Sequence, residues 1–332
     1  TVHRHDLVAG ELAQVKAQRA AAAQGTQELD SRATQAQAGK TALICDERRL
    51  SYRELLEETC RFAAGLGAIG CERESRILFF ATDSVEYVAS WLGAVRGGRI
   101  PAVVSDAHKD HHLKYFLDDT AAATLFIDEA QLPKLASIAG NLPAALTRIL
   151  VCGSAALIQG RLPGVEVLET AAVRAKGTPS FAAVPRHRHD ICYMFYSGGT
   201  TGTPKGITHL AHDFLIVPER HGAFWAYDKD DIVHATSKKY FTHGLWPGLL
   251  IPLYWGATSL ISREPVSGGA LATLIEKHRP PKLVTVPTVI KLLLAEIDRR
   301  GARPDFGSVK FVVAASEKMA PELFERFHAT FG

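Results

Sequence analysis

From about residue 40 onward, short apolar runs alternate with stretches whose apolar positions recur every three to four residues. The short runs at 41–45, 76–80, 100–104, 124–127 and 148–151 predict strands, and the amphipathic stretches 51–66, 84–96, 112–120 and 130–138 predict the helices between them. Strand and helix in alternation imply βαβ units and a mainly parallel sheet, hence an α/β fold. Ser51 followed three residues later by Glu54 is a capping-box opening for the first helix, which Gly65 and Gly67 close. The stretch 176–190, KGTPSFAAVPRHRHD, breaks the rhythm and reads as a linker or long surface loop. It sets a boundary between a first α/β subdomain, 1–180, and a second, 181–332. Beyond it, strands are predicted at 191–196, 232–235, 258–261, 282–286 and 310–314, with helices at 269–278, 287–298 and 321–327.

Composition narrows the function classes. The 332 residues are 47% hydrophobic and 22% charged, a globular composition. Lys and Arg total 38 against 35 Asp and Glu, a net charge of +3, which lacks the dense basic field of a nucleic-acid binder. The five cysteines, Cys45, Cys60, Cys71, Cys152 and Cys192, are odd in number and contain no C-x-x-C pair. That pattern argues against a disulfide framework or a zinc site and fits a reducing, cytoplasmic setting. The chain opens at Thr1 with a charged, Ala/Gln-rich stretch, so no secretory signal is read and the start is taken as processed or cut. The longest apolar run, 248–261, falls short of the ~18 residues a membrane span needs and contains Pro252 and Gly256, so a soluble protein is expected.

Three motif matches fail on context. Gly65, Gly67 and Gly70 spell the dinucleotide fingerprint, but they end a predicted helix, whereas a phosphate-binding turn must leave a strand and open a helix. Asp305-Phe306-Gly307 and Ala320-Pro321-Glu322 mimic kinase motifs without the lysine strand or catalytic loop that would assemble a phosphate site. The cluster Asp106, His108, Asp110, His111 and His112 has metal-ligand chemistry, yet its place at a helix entry reads more simply as a solvated, charged cap.

One motif has both the composition and the context. Directly after the predicted strand 191–196 stands Tyr196-Ser197-Gly198-Gly199-Thr200-Thr201-Gly202-Thr203-Pro204-Lys205-Gly206. Its four glycines let backbone N–H groups approach an anion, while Ser197, Thr200, Thr201 and Thr203 add hydroxyls and Lys205 a positive charge. This is a polyphosphate cradle by composition. It is not a Walker A loop, because Pro204 precedes the lysine and Gly206 follows it.

The stretch YSGGTTGTPKG closely resembles the signature Y-[ST]-S-G-[ST]-T-G-x-P-K-G of adenylate-forming enzymes, the superfamily of acyl- and aryl-CoA ligases, firefly luciferase and peptide-synthetase adenylation domains; Gly198 stands where a serine is usual. The likeness extends along most of the chain and is greatest to the benzoate-CoA ligase branch, whose pocket segment reads A-K-L-F-F-A-Y-G-L-G-N-G-L. On that alignment Phe241, Thr242, His243 and Gly244 shape the carboxylate pocket, with His243 in place of the branch's tyrosine. Ala315, Ser316 and Glu317 fall on the segment that borders adenine. From the residues alone, His243 reads equally as a buried histidine bonded to a backbone carbonyl, and Phe241 as ordinary core.

The resemblance implies the large N-terminal domain of such an enzyme, two mainly parallel sheets layered with helices. The family's later Y-G-x-T-E-like motif, ribose-binding aspartate and small C-terminal domain with its catalytic lysine do not follow Gly332. Thioester formation by residues 1–332 alone is therefore not expected. The implied activity is ATP-dependent conversion of a small aromatic acid to an acyl-adenylate and then a CoA thioester. ATP, Mg²⁺ and coenzyme A would be the cofactors, and Lys205, Thr200, Thr201 and Gly202 would hold phosphate. An acyl carrier protein as acceptor and a noncatalytic ATP or aryl-acid binding module are the alternatives, with a monomer or homodimer expected.

Overall fold

A computed structural model describes residues 37–197 and 203–332. Among these residues the strands form two sheets, each in its own compact unit. The first unit includes Arg53–Thr82 and Glu86–Ile216; the second includes 37–52, Asp83–Val85 and Val217–Gly332. In chain order the strands are β1 (Thr41–Cys45), β2 (Arg48–Ser51), β3 (Arg76–Phe80), β4 (Ile100–Val103), β5 (Thr124–Asp128), β6 (Arg148–Cys152), β7 (Glu166–Glu169), β8 (Ile191–Tyr196), β9 (Gly206–Leu210), β10 (Ile232–Ala235), β11 (Thr258–Ile261), β12 (Lys282–Thr285) and β13 (Phe311–Ala314).

The first sheet runs β7-β6-β5-β3-β4-β8-β9, parallel except for the β8–β9 hairpin. Its central strand, RILFF, is buried from Ile77 to Phe80 because helices cover both faces, as parallel strands require. On one face Phe79 stacks on Phe126 at 4.6 Å between centroids, with Tyr87 edge-on to both. On the other, Leu78 and Phe80 pack with Leu113, Phe116 and Leu117 of the helix Asp110–Thr120.

The second sheet runs β13-β12-β10-β11-β1-β2, parallel except for β1–β2. The helices Gly268–His278 and Pro287–Arg300 pack through Leu271, Ile275, Val289 and Leu293. The apolar run after β10 forms one helical segment, buried from Gly244 to Tyr254: Thr242–Leu245, a wide π-type turn Trp246–Leu250, and Ile251–Trp255, ended by Gly256 at φ +76°. Pro247 and Pro252 each remove a backbone donor there, which accounts for the departure from regular helix. Among the described residues no helix is long and apolar enough to cross a membrane.

The α/β architecture of two mainly parallel sheets is as the sequence implies. The strands unforeseen in the periodicity, β2, β7 and β9, lie on sheet edges or in hairpins and have exposed positions that dilute the apolar signal. The stretch 176–190 is irregular but not free: Val184 N–H donates to the Arg96 carbonyl at 2.9 Å, and the buried Arg186 donates to the carbonyls of Arg99 (2.6 Å) and Ile191 (2.8 Å). The expected boundary at 180/181 falls inside this stretch, and the compact units keep β8 and β9 with the first sheet.

Gly65 lies inside the helix Tyr52–Ala68, where a Cβ would overlap the Val173 carbonyl oxygen, and Gly70 turns out of the helix at φ +71°. These glycines serve close packing and a turn, not a pyrophosphate. Although Ala favours helix over Gly, Gly65→Ala is expected to destabilise the first unit by about 1–3 kcal/mol through overpacking. Urea unfolding measures this, and a stabilised variant contradicts it.

Candidate functional site

Ligands of open α/β sheets gather at the carboxyl ends of the strands, where the strand order reverses. In the second sheet the chain passes from β10 to β11 on one side, then to β12 and β13 on the other, so the reversal lies between β10 and β12. Polar groups crowd that point. Thr236, just past β10, donates its N–H to the Val284 carbonyl at 2.9 Å, and its Oγ1 donates to Thr285 Oγ1 at 3.2 Å. Ala315, just past β13, donates its N–H to the Thr285 carbonyl at 3.2 Å. Ser316 follows at φ +70°, a left-handed backbone for a non-glycine residue and a place where strain is held by its surroundings. Glu317 accepts both the N–H (2.9 Å) and the Oγ1 hydroxyl (2.7 Å) of Thr288, satisfying the start of the helix Pro287–Arg300.

His243 stands in the first turn of the helical segment after β10. Its Nδ1 lies 3.5 Å from Ser237 Oγ, and its Nε2 is buried with no hydrogen-bond partner among the described residues. Burial lowers its proton affinity, favouring a neutral ring. The backbone-carbonyl alternative for His243 thus has no contact among the described residues. Phe241 is 49% exposed and touches the Tyr240 ring at 4.8 Å, so it is not core. Gly244 is buried where a Cβ would overlap the Ser237 and Lys238 carbonyls, which lets the helix start tight against the turn. Thr242 opens the helix and is exposed. In β10 itself, His234 donates Nδ1–H to the Leu260 carbonyl at 2.9 Å, and desolvation pushes its pKa down to about 3, so it is a neutral structural group.

The glycine-rich loop belongs to the first unit and connects β8 to β9 as a hairpin, not a strand to a helix. Its base is closed by Ser197 N–H to the Lys205 carbonyl (3.0 Å) and Lys205 N–H to Ser197 Oγ (3.1 Å). Tyr115 OH donates to the Pro204 carbonyl at 2.6 Å, and Tyr196 OH to Asp119 at 2.6 Å. Thr203 and Lys205 are exposed. Gly198, Gly199, Thr200, Thr201 and Gly202 lie outside the described residues.

The first sheet has its own reversal, between β3 and β5, but protein groups fill it. Thr82 donates its N–H to Asp128 at 2.6 Å and its hydroxyl to Asp106, whose carbonyl accepts from Lys134 Nζ at 2.7 Å. Asp110 is held below the usual carboxylate range by Ser137 Oγ (2.9 Å) and the His111 N–H (2.8 Å). These acids brace loops.

With this geometry in view, the comparisons decide the family. The AMP-binding enzyme family matches residues 29–332. The chain belongs to this family of adenylate-forming enzymes. It is 29% identical over 298 residues to a benzoate–CoA ligase of Thauera aromatica, covering 89% of this chain and 54% of that protein. It is 28% identical over 305 residues to a 4-hydroxybenzoate–CoA/benzoate–CoA ligase of Rhodopseudomonas palustris, covering 92% and 54%. Among solved structures it resembles an anthranilate CoA ligase in complex with anthranoyl-AMP, with TM-score 0.84, 28% identity, and 93% of this chain and 58% of that chain covered. The chain spans about half the length of the curated relatives it matches.

For this adenylate-forming chain, the motif residues 315–317 and 241–244 both stand at the carboxyl end of the second sheet, while the described loop residues Ser197, Thr203 and Lys205 stand on the first unit's hairpin. The polar groups Thr236, Ser237, Thr285 and Thr288 at this end of the sheet are not singled out by the sequence, because single hydroxyls at strand ends and helix starts carry no periodic or motif signal. Glu317 has a measurable local role: Glu317→Ala leaves Thr288 N–H without its acceptor and is expected to cost about 1 kcal/mol, as for loss of a helix cap. Chemical unfolding of wild type and variant checks it; equal stability removes the capping role.

Proposed function

We propose that the protein containing this chain is an AMP-forming acid–CoA ligase for a small aromatic carboxylic acid bearing a hydrogen-bonding ring substituent. The observation that carries the reading is His243: a neutral imidazole whose buried Nε2 has no partner among the described residues, at the polar reversal point of the second sheet. A buried polar atom without a partner is costly, and a ligand group that pairs with it recovers that cost. The names of the relatives, benzoate, hydroxybenzoate and anthranilate ligases, support an aryl acid in that place.

In this reading the acid's carboxylate oxygen attacks the α-phosphorus of ATP, the bond from that phosphorus to the bridging oxygen breaks, and pyrophosphate leaves. The thiolate of coenzyme A then attacks the acyl carbon, forming the C–S bond as the C–O bond to AMP breaks. The chain's contribution is positioning and charge neutralisation. Lys205, with Ser197 and Thr203 and with Gly198, Gly199, Thr200, Thr201 and Gly202 of the same loop, would hold the β- and γ-phosphates, and Ala315, Ser316 and Glu317 would border the adenine. Phe241, Thr242, His243 and Gly244 would line the acid's place. Mg²⁺, when bound with the triphosphate, supplies further neutralisation. Among the described residues no three His, Cys, Asp or Glu side chains gather as a ligand set.

Two outcomes test the reading in the full-length protein. Lys205→Ala is expected to slow pyrophosphate release by about 10²–10³, the usual loss when a charge-stabilising donor is removed; its exposed side chain leaves folding unaffected. Unchanged release removes Lys205 from the phosphates. His243→Phe is expected to shift specificity from 2-aminobenzoate or 4-hydroxybenzoate toward benzoate by about tenfold or more, because the substituent loses its buried partner. Values of kcat/KM for these acids and hexanoate decide it. An unchanged ranking removes His243 from the pocket, and a best rate with hexanoate removes the aryl reading.

A further inference from the structure

Lys239 lies on the turn that leaves β10 and is 0% exposed, and its Nζ has no hydrogen-bond partner among the described residues. Its charge partner is Asp83, 2% exposed. One carboxylate oxygen of Asp83 accepts the Lys239 backbone N–H at 2.9 Å, and the other lies 3.5 Å from Nζ. Asp83 comes from a three-residue segment, Asp83–Val85, that belongs to the second unit although the chain on both sides belongs to the first. Against the ammonium lies the wide turn Trp246–Leu250. A Cβ at Gly248 would stand 3.3 Å from Nζ and 2.5 Å from the Ala235 Cβ, and the Gly248 carbonyl accepts from Ser259 Oγ at 2.5 Å.

An ion pair this deep is a poor device for stability. Desolvating both charges costs about as much as their attraction returns, and apolar replacements are commonly neutral or stabilising. Burial pulls the Lys239 proton affinity down while Asp83 opposes the fall. What the arrangement does achieve is geometry, because one carboxylate holds both the backbone and the side chain of the same residue. Thr236 and Ser237 precede that residue by three and two positions, and Phe241 and His243 follow it by two and four.

We propose that Asp83 and Lys239 are positioning residues whose buried pairing sets the turn 236–243 and thereby the orientation of His243 toward the acid. The last step of this inference rests on the aryl-acid reading above. It is tested in the full-length protein with the double variant Asp83→Asn/Lys239→Met, which removes both charges but keeps an acceptor for the backbone N–H. The melting temperature is expected to hold or rise, while amide exchange across 236–244 quickens and KM for the aromatic acid increases about tenfold with KM for ATP unmoved, a split that general loss of structure does not produce. Exchange that stays as slow as in wild type overturns the positioning role, whether or not the protein activates aryl acids. Quickened exchange with KM for the acid unmoved overturns the link to His243. If wild type activates no aryl acid, the proposed function fails, and the exchange result still decides what the pair does. Should the double variant not fold, the single variant Asp83→Asn, which keeps the acceptor for the backbone N–H and leaves a lysine free to shed its proton on burial, is read by the same two measurements and the same criteria.

Discussion

A parallel sheet must bury both faces of its strands, because the crossover helices that connect them lie there, and this constraint governs most of what the molecule can offer a ligand. Strands such as RILFF in the first sheet and KLVT in the second are buried almost throughout. Chemistry is thereby confined to the strand ends and to the loops that leave them. At one sheet's reversal, Asp128 and Asp106 already occupy the place with bonds to Thr82. At the other, Thr236, Thr285 and His243 remain, a pair of hydroxyls bonded to each other and an imidazole with one nitrogen unpaired among the described residues. The same architecture therefore gives one closed end and one end with bonding capacity to spare, and the difference is made by two carboxylates.

The frame was legible in the residues for the same reason. Fully buried strands read as apolar runs, and one-sided helices read as a 3.6-residue period, so the ten strands drawn from the sequence all occur. Illegible were the elements without a clean period. β9 has three exposed positions and depends on its hairpin with β8, and the segment Thr242–Trp255 is apolar on every side and carries two prolines, so no periodicity separates it from a core strand or loop. The motif loop was legible as chemistry but not as shape: its composition points to phosphate, whereas its closure through Ser197 and Lys205 is a matter of tertiary pairing.

Buried charge was the least legible feature. Lys239, Arg99 and Arg186 are each nearly or wholly enclosed, and nothing in their neighbours' sequence marks them off from Lys238, which reaches the carbonyls of Ser262 (2.5 Å) and Glu264 (2.9 Å) closer to solvent. The three solve the same problem differently. Arg99 and Arg186 spend their fixed forks of donors on backbone carbonyls of Cys71, Gly97, Arg99 and Ile191, so their charge is spread over several dipoles. Lys239 has a compact ammonium and, among the described residues, one carboxylate beside it. An arginine clamps loops with many modest bonds. A buried lysine with a single partner is sensitive to where that partner stands, and such an element suits a turn that must hold one conformation.

The residues proposed for the reaction are of two kinds, with different physical demands. Lys205 and Thr203 are exposed on a hairpin closed by Ser197 and Lys205 and held by Tyr115 on the Pro204 carbonyl, and in the proposed reading their contribution rests on charge and hydroxyl chemistry that tolerates small displacements. Thr236 and Thr285 at the second sheet's reversal are buried and His243 is half-buried with its Nε2 enclosed, and each depends on neighbours placed to within a hydrogen bond's tolerance. Phosphate is bulky, highly charged and common to every reaction that consumes ATP, and an exposed cationic loop is adequate to meet it. Distinguishing one small acid from another turns on a single buried polar atom, which is informative only in surroundings that keep water and alternative partners away. In the proposed reading selectivity falls to the enclosed residues and generic activation to the exposed ones, a division that follows from solvation before any particular substrate is considered.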